Sequence, residues 1–285
     1  MLSTRGLLGS RVLNSLVSRK ISSPISRLYS DQPVKTTKKK KTGQTADISQ
    51  VPIKSIGVIA DFYVPPKYLA SPVSSWLRLF LRRMGLFAIN TYSVVKYRRE
   101  TGLKLKFNDW KEQAIEKQVK ANKIFAAACN LPLAERERYL KDQLNGIAGD
   151  EVLKSMVMRA VTFPPGMKLT WDLISVESNP KIVSFNCLPD SNNITTYIQF
   201  VVKVRTKQKV TLEQSKNESK ETERVITDNL VYTLNPFSDE TVLVGSLFDS
   251  DSNRGVQPEI NFTNSLVMVA FQKKCADIFR SNKTK

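Results

Sequence analysis

ITTYIQFVVKVRTKQKVTL, residues 194–212, alternates between two sets of side chains along most of its length. A period of two is typical of a β-strand, which places successive side chains on opposite faces of a sheet. The segment is long, since strands usually have about five or six residues. One predicted face carries Ile194, Thr196, Ile198, Phe200, Val202 and Val204, and the other carries Tyr197, Gln199, Val201, Lys203 and Arg205. We therefore predict one long strand here.

Strand patterns flank this segment on both sides. Asn179-Pro180 is a turn signal between two predicted strands that precede it, and Ser215–Glu221 is predicted as a polar hairpin tip that follows it. Consecutive strands joined by short turns indicate an antiparallel meander. Ser265–Phe279 is a helix or a last strand, and its periodicity does not decide between them. The four additional predicted strands are Leu169–Val176, Lys181–Cys187, Glu223–Leu234 and Thr241–Phe248.

Helical patterns come before the strands. Asp109 and Glu112 have the spacing of a capping box, and Asp150 is a candidate N-cap for a later helix. Helices followed by an antiparallel meander are typical of an α+β domain, in which the helices pack on a single face of one curved sheet. The predicted helices are Trp76–Tyr97, Asp109–Ala128, Leu133–Leu144 and Glu151–Val161.

The first of these helices has an unusual distribution of side chains. Apolar residues recur at helical spacing on one side, and basic residues lie opposite or beside them. Such a helix can lie in a membrane interface with its basic groups on anionic lipid head groups. It can equally be a core helix with a basic, solvated back. For the membrane alternative, the candidate contact residues are Trp76, Arg78, Phe80, Arg82 and Arg83.

Positive charge is concentrated at the N-terminal end of the chain. Of the net charge of +18, residues 1–106 contribute 20 basic and 4 acidic side chains, and the remainder is nearly neutral. Residues 1–29 contain five basic side chains, no acid and many serines, which predicts a mitochondrial transit peptide. Residues 30–50 form a predicted disordered basic segment that includes Lys38–Lys41. We assign 51–106 to an N-terminal extension with the basic helix, and 107–285 to the α+β domain.

The composition excludes many enzymes. The chain has no histidine, so histidine-dependent nucleophilic and metal mechanisms are excluded in their ordinary forms, and it has no dinucleotide, P-loop or zinc-protease motif. Carboxylate-only catalysis through Asp172 and Glu177 is the remaining enzyme alternative. Three widely spaced cysteines predict neither a disulfide framework nor a metal site. We expect a binding protein that needs no cofactor.

Basic residues supply candidate contacts with RNA. Lys203, Arg205, Lys207 and Lys209 alternate along residues 194–212, so they are predicted to project from one face of the sheet as a basic stripe. Together with Lys38, Lys39, Lys40 and Lys41 they are suited to phosphate contacts. The alternative is a charged edge that only prevents aggregation. The longest uncharged run is Ile260–Gln272, too short for a membrane-spanning helix of about 20 residues.

Several short motifs, taken in order, resemble one known family. They are Val51-Pro52-Ile53-Lys54, Tyr63-Val64-Pro65-Pro66, the helix Trp76–Arg99, Asn108-Asp109-Trp110, Arg159-Ala160-Val161-Thr162-Phe163-Pro164-Pro165-Gly166 and Leu169-Thr170-Trp171. On these the chain is similar to the fungal mitochondrial inner-membrane ribosome receptors of the Mba family. The resemblance covers roughly residues 50–280.

The resemblance implies a fold, a location and partners. The fold would be a cone of curved antiparallel sheet with helices on its concave side, like nuclear transport factor two. The protein would be peripheral on the matrix side of the mitochondrial inner membrane. It would bind anionic lipid and the large subunit of the mitochondrial ribosome, through rRNA and exit-site proteins, and align the tunnel exit with the Oxa-type insertase.

Two related functions remain open at this point. One is a stoichiometric large-subunit mitoribosomal protein at the tunnel exit, and the other is an import-motor tether of the presequence translocase. The family is similar to both of these proteins.

Overall fold

The computed structural model describes residues 47–215, 218–261 and 264–280, and these residues form one compact unit. The predicted transit peptide (residues 1–29) and Lys38–Lys41 lie outside the described residues. The helices are α1 (Trp76–Thr101), α2 (Phe107–Cys129), α3 (Leu133–Gln143), α4 (Asp150–Thr162) and α5 (Ser265–Ala276). The strands are β1 (Lys168–Pro189), β2 (Thr195–Ser215), β3 (Glu218–Asn235) and β4 (Glu240–Leu247).

The four strands form one antiparallel sheet in the order β1-β2-β3-β4. The predicted α+β class and the meander are therefore confirmed. β4 pairs with β3 only from Asn229 to Asn235, so the ribbon of the first three strands extends well beyond it. α5 resolves the ambiguity at the C-terminal end in favour of a helix.

The turn predicted at Asn179-Pro180 is wrong. β1 is one continuous strand, and the pairing with β2 shifts register several times between Leu173 and Ser184. β1 lies at the edge of the sheet, where a proline without an N–H group does not interrupt a ladder on its outer side. The irregular residues instead form bulges, which bend the strand.

Two asparagine side chains cover the free edge of β1. Asn90 of α1 donates to the carbonyl of Val183 at 2.8 Å and accepts from the N–H of Phe185 at 3.1 Å. Asn130, just after α2, makes the same pair of bonds with the carbonyl and N–H of Leu169, at 2.9 and 2.7 Å. Each amide replaces a neighbouring strand locally, so the edge presents fewer unpaired backbone groups.

The main core lies between the sheet and helices α1 to α4. Aromatic rings connect α1, α2 and the first three strands, with Trp110 at the centre. The Trp110 ring lies 6.2 Å from Phe185 and 6.1 Å from Phe200 in stacked geometry, and 6.2 Å from Tyr97 edge to face. Since Tyr97 and Trp110 share this core, the boundary predicted between residues 106 and 107 lies inside the compact unit.

A second core covers the opposite face of the sheet. Ile53, Val58 and Val64 of the N-terminal segment pack against Tyr197 and Val201 of β2. The side chain of Gln199 is buried here too, and donates to the carbonyl of Gly57 at 2.9 Å. β2 is therefore covered on both faces near its start. Further along, the face that carries Lys203 and Arg205 is more open.

The predicted helix starts need two corrections. α2 begins at Phe107 with Lys106 as its N-cap residue, and no side chain caps it, so the predicted capping box is wrong. Asp150 is the first residue of α4 and not its cap; its Oδ2 accepts a hydrogen bond of 2.6 Å from the Ser55 hydroxyl. All three cysteines are buried, with free thiols.

Candidate functional site

α1 turns most of its apolar side chains outward. Its buried residues face the protein: Leu79, Leu86 and Ser93 recur every seven residues, and Tyr97 follows one turn later. On the opposite side Leu77 is 70% exposed, Phe87 67% and Leu81 60%. We call this side the outer face of α1. It consists of Leu77, Phe80, Leu81, Met84, Phe87, Ala88 and Val95.

The outer face continues into the turn that precedes α1. Leu69 is 95% exposed, and Val73 is also exposed. The Trp76 indole N–H points back into this turn. It donates to the carbonyl of Tyr68 at 3.1 Å and lies 3.3 Å from the carbonyl of Ser71. The turn is thus held against the start of the helix, and its apolar side chains extend the same surface.

The arginines that oppose the outer face bind the protein itself. The Arg82 guanidinium donates to the carbonyl of Ser252 and, at 3.0 Å, to that of Asn253. Arg83 donates to the carbonyl of Pro66 at 2.7 Å, and its guanidinium lies 4.3 Å from the centre of the Tyr68 ring. These two side chains dock α1 onto the body of the protein. The guanidinium groups of Arg82 and Arg83, predicted from the sequence as membrane contacts, are thus hydrogen-bonded to the protein in this structure.

The remaining predicted membrane contacts lie at the surface. Trp76, Phe80 and Arg78 are exposed, and Arg78 has no ion pair or hydrogen bond with any residue that the structure describes. Near the other end of the helix, Arg98 and Arg99 are also exposed. The alternative in which the apolar stripe is ordinary core is wrong, because the stripe faces solvent.

The loop that receives Arg82 is itself well anchored. Arg254 and Asp61 form a buried ion pair at 2.7 Å, and Arg254 also donates to the carbonyl of Asp61 at 2.9 Å. Ser250 and Val64 exchange two hydrogen bonds, one of 2.8 Å from the Ser250 N–H and one of 3.0 Å to its hydroxyl. α1 therefore rests on a rigid support, which fixes the direction of the outer face.

The predicted basic stripe lies on the face of the sheet opposite α2. Three of its four cations are already paired: Lys203 with Asp249 at 3.0 Å, Lys207 with Glu223 at 2.9 Å, and Lys209 with Glu221 at 2.9 Å. The hydrogen bond from Lys207 lowers the pKa of Glu223, and the one to Glu221 raises the pKa of Lys209. Arg205 is exposed and unpaired among the described residues. The stripe is therefore a mixed-charge surface with one free guanidinium.

Comparisons with known proteins place the chain in a family. A family model described as MBA1-like protein matches residues 42–284, which is most of the chain. The chain belongs to the MBA1-like protein family. It is also 26% identical over 262 residues to the inner membrane mitoribosome receptor MBA1, mitochondrial, of Saccharomyces cerevisiae (strain ATCC 204508 / S288c). The alignment covers 90% of this chain and 88% of the relative, so the family resemblance seen in the sequence is confirmed.

Residues in the motifs that resemble the MBA1-like family stabilise the fold of this protein. Trp110 is the centre of the main core. Arg159 forms a two-bond ion pair with Asp277, at 2.6 and 2.7 Å, which joins α4 to the end of α5. The Trp171 indole N–H donates to Gln208 at 3.1 Å across β1 and β2. These residues stabilise the fold. The outer face of α1, by contrast, presents exposed apolar side chains that an apolar partner could contact.

The sequence analysis missed one partly buried carboxyl group. Asp228 on β3 points to the α2 side of the sheet, where its Oδ2 accepts a hydrogen bond of 3.1 Å from Gln118. Burial raises the pKa of Asp228 to about 6. The inward position follows from the alternation of β3, because Leu230 and Tyr232 point the same way. This alternation in β3 was the sequence signal that could have predicted the inward position of Asp228.

Within the described residues, no helix is both long enough and apolar enough to span a bilayer.

Proposed function

We propose that this protein is a peripheral receptor for the mitochondrial ribosome on the matrix side of the inner membrane. It holds translating ribosomes near the membrane and aligns their tunnel exit with the Oxa-type insertase. The observation that carries the proposal is the outer face of α1, which presents apolar side chains to solvent on a rigid support. The name of the yeast relative, an inner membrane mitoribosome receptor, supports the same function.

The membrane half of the proposal rests on the outward direction of the helix. Large exposed apolar surfaces rimmed by polar groups mark sites of protein or membrane contact. A helix that lies in the interface buries its apolar face to a depth of about 5–10 Å and places its cations at the level of the head groups. Leu77, Phe80 and Leu81 would enter the acyl region, and Arg78, Arg98 and Arg99 would meet anionic head groups. Arg82 and Arg83 would remain bound to the protein.

The ribosomal half of the proposal uses the basic stripe, on the face of the sheet opposite α2. Arg205 is free to bind a phosphate of rRNA, and the paired lysines can exchange their carboxylate partners for phosphates. Glu221 and Glu223 compete with phosphate for these lysines and also repel it. Only a partner that binds the stripe through several phosphates would therefore displace them. Lys38–Lys41 remain proposed contacts with rRNA or exit-site proteins of the large subunit.

In this proposal the two surfaces bind their partners at the same time. The Tyr97 end of α1 packs on the same face of the sheet as α2, and the basic stripe projects from the other face. Two weak contacts on one rigid body give avidity only when both partners can be engaged at once. This arrangement is that of a tether, and we propose no catalytic activity.

A bridging experiment tests the proposal. Purified large mitoribosomal subunits are mixed with vesicles that contain anionic phospholipid, with and without the protein, and separated by flotation. We expect the subunits to float only when the protein is present. Lys203→Glu/Arg205→Glu should abolish the bridging and leave the protein on the vesicles. If the protein stays with sedimented subunits and never floats, it is a ribosomal protein and the receptor function is wrong.

A further inference from the structure

A cavity of about 380 Å³ lies on the α2 side of the sheet, between α2, the end of α4 and the residues that follow α5. Its volume is at the lower end of the range of about 300–1,000 Å³ that is usual for small-molecule sites. Two of the motifs that resemble the family supply much of its lining. The residues that they contribute are Arg159, Thr162, Phe163, Pro164, Leu169 and Trp171.

The apolar walls of the cavity are held in place by contacts within the protein. Phe125 of α2 and Phe279 lie with their ring centres 4.6 Å apart on one side. On the floor, which the sheet forms, the Trp171 indole N–H donates to Gln208 at 3.1 Å, and the Gln208 amide donates to the Thr206 hydroxyl at 2.8 Å. The shape of the cavity is therefore set before any ligand binds, as is usual for small-molecule sites.

The charge of the cavity lining is positive. Its charged side chains are two arginines, and no carboxylate of the described residues lines it. Arg159 is neutralised by Asp277, whose two oxygens accept its hydrogen bonds at 2.6 and 2.7 Å. Arg224 makes no ion pair or hydrogen bond with any described residue. The charge of Arg224 is therefore available to an anion.

The register of the sheet directs Arg224 toward the cavity. Arg224 of β3 lies opposite Gln208 of β2, and directly opposed residues of an antiparallel pair project from the same face. Gln208 lies on the cavity floor, where Trp171 contacts it, so Arg224 projects to the same side. Arg224 is exposed, as are Thr162 and Pro164, so these three residues mark where the cavity opens to solvent.

We propose that this cavity binds a small carboxylic acid with an apolar body, in its ionised form. The carboxylate accepts hydrogen bonds from the guanidinium of Arg224, and the apolar body contacts Phe125, Phe163 and Trp171. A guanidinium matches the bidentate geometry of a carboxylate, so Arg224 selects the acid over a neutral analogue. Burial of the apolar body adds affinity that a bare carboxylate lacks. The site goes beyond the proposed function, and it shares no residue with the proposed membrane or ribosome contacts.

Two soluble acids test the site. Octanoate and 3-phenylpropanoate, which have an aliphatic and an aromatic body, are titrated separately into the full chain by isothermal calorimetry. We expect saturable binding of at least one acid, and the acid that binds identifies the type of body. Arg224→Gln should weaken this binding by about tenfold or more, because it removes hydrogen bonds between charged partners.

Two further variants separate the cavity from general effects of charge. Val210→Phe narrows the cavity from its floor and should weaken binding as much as Arg224→Gln does. Arg138→Gln removes the same charge from a highly exposed side chain of α3 and should have no effect. Circular dichroism checks that each variant is folded.

Four results would overturn the proposal. They are an absence of saturable binding for both acids, equally tight binding of the corresponding alcohol, equally tight binding of acetate, and an equal loss in Arg138→Gln. The second result would indicate an apolar site without charge selection, the third a simple anion site, and the fourth diffuse electrostatics.

The titration contains neither vesicles nor ribosomal subunits, so its outcome is separate from that of the bridging experiment. Leu77→Ser/Leu81→Ser/Phe87→Ser should bind the acid like the parent, because the outer face of α1 is not part of the cavity lining. If the parent protein bridges subunits to vesicles but binds neither acid, only the cavity site fails. If it binds an acid but does not bridge, the proposed function fails and the cavity site stands.

Discussion

The two long helices of this protein, α1 and α2, use their faces in opposite ways. α2 buries Trp110, Ala114 and Ala121 against the sheet and exposes charged side chains, including the pair Glu116 and Lys120 at 2.6 Å. α1 exposes its large apolar residues and uses two arginines to bind the protein. The pattern of α2 is explained by folding alone. The pattern of α1 is not, because an apolar surface in water contributes nothing to stability.

A matched pair of aromatic substitutions gives the largest expected contrast between the helices. Trp110→Ala should lower the free energy of unfolding by about 3–5 kcal/mol, because it removes the centre of the main core and leaves a cavity. Phe87→Ala on the outer face of α1 should change it by less than about 0.5 kcal/mol. Urea denaturation followed by circular dichroism measures both. A large loss of stability in Phe87→Ala would mean that the outer face contributes to the fold.

Asp228 of β3 faces the buried side of α2, and desolvation makes its ionised form unfavourable, which pH reveals. Folding raises the pKa of Asp228 from 3.8 to about 6, so the folded protein binds more protons than the unfolded chain between these values. The free energy of unfolding contributed by this group therefore falls as the pH rises from about 4 to 6 and stays lower above that. Asp228→Asn should be more stable than the parent above pH 6, by up to ~3 kcal/mol.

The check for Asp228 is urea denaturation at pH 4.5 and pH 7.5. The advantage of Asp228→Asn should be larger at pH 7.5, since its amide oxygen still accepts from Gln118 and no carboxyl group must ionise. Glu213→Gln, at an exposed carboxylate of β2, makes the same change in net charge and should show no such pH dependence. An advantage for Asp228→Asn that does not vary with pH would contradict the assignment.

The arginines of α1 give a smaller contrast within a single helix. Arg82→Ala removes hydrogen bonds from a charged donor to two loop carbonyls and should lower the free energy of unfolding by about 1–3 kcal/mol. Arg78→Ala removes an exposed side chain and should be within about 0.5 kcal/mol of the parent. Thermal unfolding of the two variants measures the difference. Equal stability would mean that Arg82 does not dock the helix.

The same two arginine variants should reverse their order in binding to anionic vesicles. Arg78→Ala should weaken the attachment, because its guanidinium is available to head groups. Arg82→Ala should affect attachment only as far as it loosens α1. A stronger effect from Arg82 in a variant that remains folded would restore the contact role predicted for it from the sequence.

The sequence predicted the sheet better than it predicted the orientation of α1. Alternation in β2 identified a long strand and its two faces, because the period of two is imposed by the backbone. For α1, helical periodicity separates two faces but does not say which one meets the protein. The apolar stripe is normally the inner one. The inner face was marked only by Leu79, Leu86 and Ser93 at intervals of seven and by Tyr97 one turn later.

Two other features were beyond pattern analysis. The turn signal at Asn179-Pro180 is compatible with a strand only because β1 is an edge strand, which depends on the order of the whole sheet. The N-terminal segment that contains Ile53 and Val58 forms a second core without regular structure of its own beyond short 3₁₀ turns. The sequence of this segment therefore shows no periodicity from which its packing could be predicted.

The most direct test of the account is flotation of the protein with vesicles that contain anionic phospholipid. The parent protein should float, and Leu77→Ser/Leu81→Ser/Phe87→Ser should remain at the bottom of the gradient with an unchanged thermal midpoint. The control variant Glu116→Ser/Lys120→Ser on the solvent side of α2, which leaves the net charge unchanged, should float like the parent. Flotation of the folded α1 variant to the same extent as the parent would contradict the claim that the outer face of α1 binds the membrane.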